Sequence, residues 1–181
     1  MPRRLPSVLS SADLPIAELT AARLDGELFG VDSCFAPIDE IEQTHHRAAS
    51  LGAVVPDRLI AEQHSAAWVW GAVARPPAPH EFCVASGARV RVLGVRWLRV
   101  REVVIDDREL ASLGGMLVTT PLRTAIDLAR FSARFDDHER SAVLELARTG
   151  SFGLGECLDG MDRRRNLPNK RSAAARLRSC F

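Results

Sequence analysis

The chain has 181 residues and a formal net charge of +1, with 46% apolar and 26% charged residues, a composition that supports a sizeable core. No window approaches the roughly 18 uninterrupted apolar residues of a membrane-spanning helix, and the N-terminal sequence lacks the pattern of a secretory signal. We therefore expect a cytoplasmic protein of one or two domains, with no membrane role and with reduced cysteines.

The first forty residues predict a helix followed at once by a small hairpin. Asp13 is a candidate cap for a helix that ends near Gly26. The sequences LFGV and SCFAPI predict two short strands on either side of a turn at Asp32 and Ser33. A helix followed by a hairpin is the back half of a winged helix, but there is little room for the two helices that should precede it. Residues 1–40 are therefore predicted to form a reduced winged-helix-like unit.

The next region predicts helices and strands in alternation. Residues 40–50 predict a helix, and the sequence RLIAEQ predicts a buried strand. Ser65 is a candidate N-cap for a helix over AAWVWGAV, which the proline-rich sequence ARPPAPH ends. The sequence HEFCVA (80–85) has the alternation of a strand. This region therefore supplies strands to a central sheet.

An arginine-rich region follows. The sequences ARVRVL and VRWLRVREVVI alternate arginine with apolar residues on either side of Gly94. This period of two predicts a hairpin with an arginine-bearing outward face. That face carries Arg89, Arg91 and Arg96 or its neighbours, and is continued by Arg99 and Arg101. DDRELASLGG is predicted as a turn, and MLVTT as a strand that leads into a helix. Together these segments predict a mixed central β-sheet.

The C-terminal third is predicted to be helical. DDHERSAVLELART (136–149) has an apolar face and ends at Gly150. Two more helical segments follow, one on each side of an Asn-Leu-Pro turn. The fold class is therefore α+β, with a reduced winged-helix-like unit at residues 1–40. Residues 41–181 are predicted to form an α+β domain that contains the sheet and ends in a basic helical tail.

Charge is distributed unevenly along the chain. Residues 161–181 carry seven basic residues and one aspartate, a net charge of +6, so the other 160 residues carry −5. A basic tail on an acidic body is typical of a protein that binds an anionic partner such as DNA; the alternative is a solvated amphipathic helix. The candidate nucleic-acid-binding residues are Arg89, Arg91, Arg163, Arg164, Arg165, Lys170 and Arg171.

The stretch VTTPLRTAIDLARF (118–131) begins with the helix-start pair Thr120 and Pro121. Arg123 and Asp127 then lie one helical turn apart and can pair. An arginine in the first turn is unfavourable for the helix dipole, which indicates a tertiary reason for its presence. We predict that Arg123 and Asp127 form a partly buried structural clamp that pins this helix to the sheet. Binding of a phosphate or of a partner's carboxylate is the alternative.

Motifs of catalysis are absent from the sequence, which has no GxSxG elbow, no Walker loop and no GxGxxG. The single lysine, Lys170, leaves no place for the carboxylate-x-lysine strand of a nuclease. His80 and Cys83 would lie on opposite faces of a strand, which argues against a metal site there. We therefore expect a non-enzymatic protein that uses neither a metal nor a cofactor.

Several stretches together resemble one known family. They are AAWVWGA, the proline-rich loop, HEFCVA with the arginine-rich region, and GGMLVTTPLRTAIDLAR. The sequence is similar to the AbiEi-type antitoxins of type IV toxin–antitoxin systems, in particular to short actinobacterial transcriptional regulators of that family. The family string V-T-x-P-x-R-T-x-x-D-L-A-R matches residues 118–130, which include Arg123 and Asp127.

The resemblance implies a winged helix that binds the promoter of its own operon. It also implies a C-terminal α+β domain that opposes a nucleotidyltransferase-like toxin without a stable complex. Because the N-terminal unit is shortened here, we predict an antitoxin-like transcriptional regulator that binds DNA weakly through its basic surfaces. Two alternatives stay open. One is a protein–protein interaction module without a nucleic-acid role, and the other is a relative of the proteins fused to a Vsr-like nuclease, lacking that nuclease.

Overall fold

A computed structural model of the chain describes residues 6–88, 96–164 and 166–181. The chain divides into two compact units. The first extends to Leu59 and includes Ser112–Leu117, and the second consists of Ile60–Ala111 and Val118–Phe181. Helices and strands occur together along the chain, which confirms the predicted α+β class. The domain boundary after residue 40 stays a prediction.

The first unit contains a helix, a small sheet and a second helix in the order that the sequence predicts. Its elements are α1 (Ile16–Leu24), β1 (Leu28–Val31), β2 (Cys34–Pro37) and α2 (Thr44–Gly52). β1 and β2 pair antiparallel, with Leu28 opposite Pro37 and Val31 opposite Cys34. Leu19 of α1 and Leu51 of α2 are fully buried. The winged-helix interpretation of this unit stays a prediction.

Asp13 does not cap α1, so that local prediction was wrong. Its carboxylate accepts hydrogen bonds from the backbone N–H and the hydroxyl of Ser10, at 2.9 and 3.0 Å. The N-cap residue is Pro15, and no side chain caps the helix. The chain turns tightly before the helix, with the N–H of Asp13 donating to the carbonyl of Ser10. Because of this turn, the carboxylate of Asp13 bonds to Ser10 and not to the first residues of α1.

A five-stranded mixed sheet follows. Its strands and the helix between the first two are β3 (Ile60–Ala61), α3 (Gln63–Val69), β4 (His80–Ala85), β5 (Leu98–Val103), β6 (Leu110–Leu113) and β7 (Met116–Thr119). The strand order is β5-β4-β3-β7-β6. β3 pairs antiparallel with β4, whereas β4 and β5 are parallel. The prediction of a mixed central sheet is therefore confirmed.

The predicted arginine hairpin lies partly outside the described residues, as do Arg89 and Arg91 themselves. The second half of the predicted hairpin forms β5, which pairs in parallel with β4. Leu98 lies opposite His80, and Val103 lies opposite Ala85. An alternation of period two identifies a strand, but the partner strand and its direction depend on the rest of the fold.

Two further local predictions were wrong. Ser65 lies inside α3, whose N-cap is Glu62, and its hydroxyl accepts a hydrogen bond from the N–H of Glu81 at 2.8 Å. The segment predicted as a turn contains a 3₁₀ turn at Asp107–Glu109, and the next four residues form β6. Ser65 bonds to a residue of β4, and β6 pairs with β7. Short-range sequence patterns do not identify such interactions with a neighbouring strand.

The C-terminal part is helical, as predicted, with α4 (Pro121–Phe131), α5 (Asp137–Gly150), α6 (Leu154–Asp162) and α7 (Lys170–Arg178). α4 begins as the sequence predicts, because Thr120 accepts a hydrogen bond from the N–H of Arg123 and Pro121 is the first helical residue. This helix packs against α3, α5, α6 and α7. Within the described ranges, no helix combines the length and the apolar character that crossing a membrane requires.

The basic tail is part of the folded core of the second unit. Ala173 and Leu177 of α7 are fully buried. Arg176 donates hydrogen bonds to the carbonyls of Ala129 and Ser132, at 3.0 and 3.1 Å. Because α7 is attached to the end of α4 by apolar and polar contacts, the tail is not a free arm.

Candidate functional site

Every residue of α4 from Arg123 to Arg130 is buried, including its charged residues. These charges belong to a network of ion pairs in the second unit, which we call the α4 ion network. Its members are Glu62, Arg101, Glu109, Arg123, Asp127, Arg130 and Arg164. Burying charge is costly unless each group is paired and hydrogen-bonded, so the partners of each group decide what the network can do.

Asp127 is the centre of the network and has no exposed surface. One carboxylate oxygen accepts from Nε of Arg123 at 2.8 Å and from Nη2 of Arg101 at 3.3 Å. The other accepts from Nη1 of Arg130 at 2.8 Å. Arg123 and Arg130 lie one turn away on either side of Asp127 along the same helix, a spacing at which helical side chains meet.

Glu62 and Arg101 form a second, bidentate pair. Glu62 is the N-cap of α3 and is 1% exposed, and Arg101 comes from β5. The two N–O distances are 2.5 and 2.6 Å. The guanidinium of Arg101 also lies over the ring of Phe131, 4.0 Å from its centre. Through Arg101 the sheet edge is therefore joined both to α3 and to α4.

Glu109 is the tertiary partner of Arg123, which lies in the first turn of α4. The carboxylate of Glu109, in the 3₁₀ turn, accepts from Nη1 of Arg123 at 2.7 Å. It also accepts from Arg164, whose other terminal nitrogen donates to the carbonyl of Val104 at 3.0 Å. A tertiary carboxylate thus compensates for an arginine that the helix dipole disfavours.

Positive charge is in excess in the network, since four guanidinium groups face three carboxylates. Burial lowers the pKa of Arg130, and the charges of Arg123 and Arg101 lower it further against the opposite effect of Asp127. Burial alone would also lower the pKa of Arg123, but Asp127 and Glu109 together raise it. All these groups stay charged, because the pKa of arginine lies far above neutrality. An additional anion near Arg130 would therefore be favourable.

A pocket of about 510 Å³ lies beside the network. Arg101, Arg123, Arg130 and Arg164 line it together with apolar side chains. All of its lining residues belong to the second unit. The four arginines that neutralise the network carboxylates are thus also accessible from this pocket.

Arg123 and Asp127 are paired as the sequence predicts. The pair joins α4 to the 3₁₀ turn through Glu109 and to β5 through Arg101. Its role as a structural clamp stays a prediction, as does the alternative that it binds a phosphate.

The predicted nucleic-acid-binding residues are placed in different environments. Arg163 and Arg171 are exposed, whereas Arg164 is paired with Glu109. Lys170 pairs with Asp162 at 2.6 Å. Arg165 lies outside the described residues, as Arg89 and Arg91 do. Among the described candidates, Arg163 and Arg171 are therefore better placed than Arg164 and Lys170 for contact with phosphates.

Sequence reasoning missed most of the network. Arg101 was predicted on the outward face of a hairpin, whereas its guanidinium lies against Glu62, Asp127 and Phe131. Glu62 was not singled out, although an acid at the end of the apolar run RLIA is a signal of a buried, paired carboxylate. The position of Arg123 in the first helical turn was the other available signal.

One group in the first unit has the composition of a metal site. The ligand atoms of Glu40, His45 and His46 all lie within 4.8 Å of one another. Nδ1 of His46 accepts from the N–H of Gln43 at 3.1 Å, which leaves the proton on Nε2 to donate to Glu40 at 2.6 Å. Both ring nitrogens of His46 are therefore engaged, so a metal ion would have to displace a hydrogen bond.

A second titratable group lies in the second unit. Nδ1 of His64 is 3.0 Å from a carboxylate oxygen of Glu81, and its Nε2 is 3.5 Å from Glu139. The hydrogen bond with Glu81 raises the pKa of His64, with Glu139 acting in the same direction. Two carboxylates thus favour the imidazolium form, which cannot act as a general base.

These features define an α+β unit whose central helix contributes Arg123, Asp127 and Arg130 to an arginine–carboxylate network. Residues 59–148 match the family model of the AbiEi antitoxin C-terminal domain, so the chain contains a domain of the AbiEi family, as its sequence resemblance predicts. The match contains every member of the network except Arg164.

No protein of curated function matches the sequence. Among solved structures, the Rv2827c protein of Mycobacterium tuberculosis is similar, with 16% identity and a TM-score of 0.38, over 97% of this chain and 75% of that one.

Proposed function

We propose that this protein is a non-enzymatic antitoxin of a type IV toxin–antitoxin system, which acts in the cytoplasm against a nucleotidyltransferase-like toxin. The observation that carries the proposal is the match of residues 59–148 to the antitoxin domain. Buried charged residues within that domain join its elements, since Arg101 of β5 bonds to both Glu62 and Asp127, and Asp127 also bonds to Arg123. Neither a cofactor nor a metal is part of the proposal.

Co-expression with a toxin tests this role. A nucleotidyltransferase-like protein encoded beside this gene should arrest growth when it is induced alone, and the present chain should restore growth. A type IV antitoxin opposes the toxin without a stable complex, so the two purified proteins should elute separately on size exclusion. A folded, expressed chain that fails to restore growth would contradict the antitoxin role. Co-elution with the toxin would instead favour the interaction-module alternative.

Weak DNA binding is the second part of the proposal. Two of the candidate cations in the tail, Arg163 and Arg171, are exposed. The proposal also includes three candidates predicted from the sequence, Arg165, Arg89 and Arg91. Each phosphate contact made by such a side chain displaces counterions, which makes the affinity depend on salt. Removing the tail is a poor test, because Ala173 and Leu177 belong to the core; point substitutions are the better one.

We expect Arg163→Gln and Arg171→Gln each to reduce the slope of log affinity against log salt by about 0.9 on duplex DNA. Fluorescence anisotropy on operator and random duplexes at several salt concentrations measures this slope. Arg148→Gln is the matched control, because Arg148 is 75% exposed and lies on α5. Arg23 is an exposed residue in the last turn of α1. If the tail variants match the wild type while Arg23→Gln reduces the slope, the contact lies in the N-terminal unit. Absence of binding in the wild type would remove DNA from the proposal.

A further inference from the structure

We infer that the pocket beside α4 is a binding site for a phosphorylated small molecule of nucleotide size. The pocket has a volume of about 510 Å³, which lies within the range of small-molecule sites. This volume exceeds that of a free phosphate ion, so the pocket has room for an organic part as well as a phosphate. The inference goes beyond the antitoxin role and does not depend on it.

The charge of the pocket wall favours an anion. Arg101, Arg123, Arg130 and Arg164 line the pocket, and the acid among its lining residues is Glu102. The carboxylate of Glu102 accepts from the hydroxyl of Ser86 at 3.1 Å and from the N–H of Gly87 at 2.8 Å. It is thus held by the loop that follows β4 and is exposed to solvent, which screens its charge, whereas Arg123 and Arg130 are buried.

Hydrogen-bond donors remain available on these arginines. Arg101 uses Nε and Nη2, whereas Arg123 and Arg130 each use Nε and Nη1. Within the described residues, Nη1 of Arg101 and Nη2 of Arg123 and Arg130 therefore make no hydrogen bond. None of these three nitrogens is completely enclosed by the protein. Each therefore has surface that solvent can reach. Arg123 and Arg130 are only 4% and 6% exposed. Both of these buried side chains line the pocket.

The network holds the donors in place before a ligand arrives. Asp127 holds Arg123 and Arg130 at 2.8 Å, and Glu62 holds Arg101 at 2.5 and 2.6 Å. Planar guanidinium groups with fixed orientation match the geometry of phosphate oxygens. A phosphate would also compensate for the positive charge that the three carboxylates leave unbalanced. Preorganisation of this kind reduces the entropic cost of binding.

The remaining wall fits the organic part of the ligand. Phe131, Leu167 and Pro168 line the pocket beside the arginines. An adjoining pocket of about 440 Å³ shares Arg123 and Arg164, but Asp106 and Glu109 line it as well. The pocket that contains Phe131 is therefore the more favourable one for a phosphate carried on an apolar or aromatic group.

Calorimetric titration of the full chain tests the inference. The probes are ATP, GTP, CTP and UTP, with inorganic phosphate and pyrophosphate as the arms that lack an organic part, in a buffer free of phosphate and sulfate. We expect saturable binding of at least one nucleotide with a stoichiometry of one, accompanied by a rise in melting temperature. We also expect weaker binding of both inorganic probes. Equal affinity for pyrophosphate would overturn the assignment of an organic ligand, and no saturable binding of any probe would overturn the site.

Arg164→Gln locates the site on the protein. Arg164 is 26% exposed, and its loss leaves Glu109 paired with Arg123, so the variant should retain the fold. Nucleotide affinity should fall about tenfold or more because one of the four cations that line the pocket is lost, while Arg148→Gln, which removes an equal charge outside the pocket, should bind as the wild type does. An equal loss in both variants would mean general electrostatic attraction and would contradict the pocket.

Discussion

Replacing Asp127 with alanine should lower the free energy of unfolding by on the order of 3–5 kcal/mol, the typical cost of breaking a buried ion pair from one side. The carboxylate has no exposed surface and accepts from Arg101, Arg123 and Arg130. Without it, three guanidinium groups would lie close together with Glu62 and Glu109 as their remaining partners. The repulsion among them and the unpaired donors both favour the unfolded chain.

Chemical denaturation followed by circular dichroism measures this effect. The matched control is Asp137→Ala, because Asp137 also pairs with an arginine three residues further along its helix but is 95% exposed. Exposed pairs contribute little to stability, so this variant should unfold close to the wild type. Arg123→Ala should cost less than Asp127→Ala, on the order of 2–4 kcal/mol, because Asp127 keeps two arginines. Equal stability of Asp127→Ala and the wild type would contradict the clamp.

Gly114→Ala is expected to lower the free energy of unfolding by about 2–5 kcal/mol. Gly114 lies in the turn between β6 and β7 and has a φ of +52°, a conformation that is unfavourable for residues with a Cβ atom. A Cβ atom at this position would lie 2.3 Å from the carbonyl oxygen of His45 and 2.8 Å from the backbone nitrogen of Ala49. Both are main-chain atoms of α2, so the turn and the helix would have to move apart.

The neighbouring glycine, Gly115, separates the cost of the backbone conformation from the cost of the contact with α2. Gly115 also has a positive φ, +82°, but an added Cβ atom would have no neighbour within 4 Å. Gly115→Ala should therefore show the conformational cost alone, about 1–2 kcal/mol. Thermal and denaturant unfolding of the two variants gives the difference, which measures the contact with α2. Equal destabilisation by both substitutions would mean that the turn does not pack closely on that helix.

Local patterns predicted much of the fold. The start of α4 at Thr120 and Pro121, the strand at residues 80–85 and the small hairpin around Asp32 and Ser33 are all found where the sequence places them. Each depends on interactions between residues a few positions apart, such as an N-cap hydrogen bond or the alternation of a half-buried strand. Such interactions can be recognised in a single sequence.

The candidate site was predicted only in part. The pair of Arg123 and Asp127 follows from helical spacing, and the first-turn position of Arg123 indicated a missing partner. Glu109 as that partner, and Arg101 as the third arginine on Asp127, depend on contacts between residues 14 and 26 positions apart in the chain. No local period relates such residues, because their distance is set by the packing of the sheet and its connections.

The charge of the tail is determined by the sequence, whereas the accessibility of its side chains is determined by the tertiary structure. The count of basic residues in the tail is a property of the amino-acid sequence, and so is the family string around Arg123 and Asp127. The tertiary structure separates four of the tail cations into exposed Arg163 and Arg171 and paired Arg164 and Lys170. It also brings Arg101, Arg123, Arg130 and Arg164 to one pocket. Which cations stay free depends on carboxylates that are distant in the chain, since pairing follows spatial distance and not the order of residues.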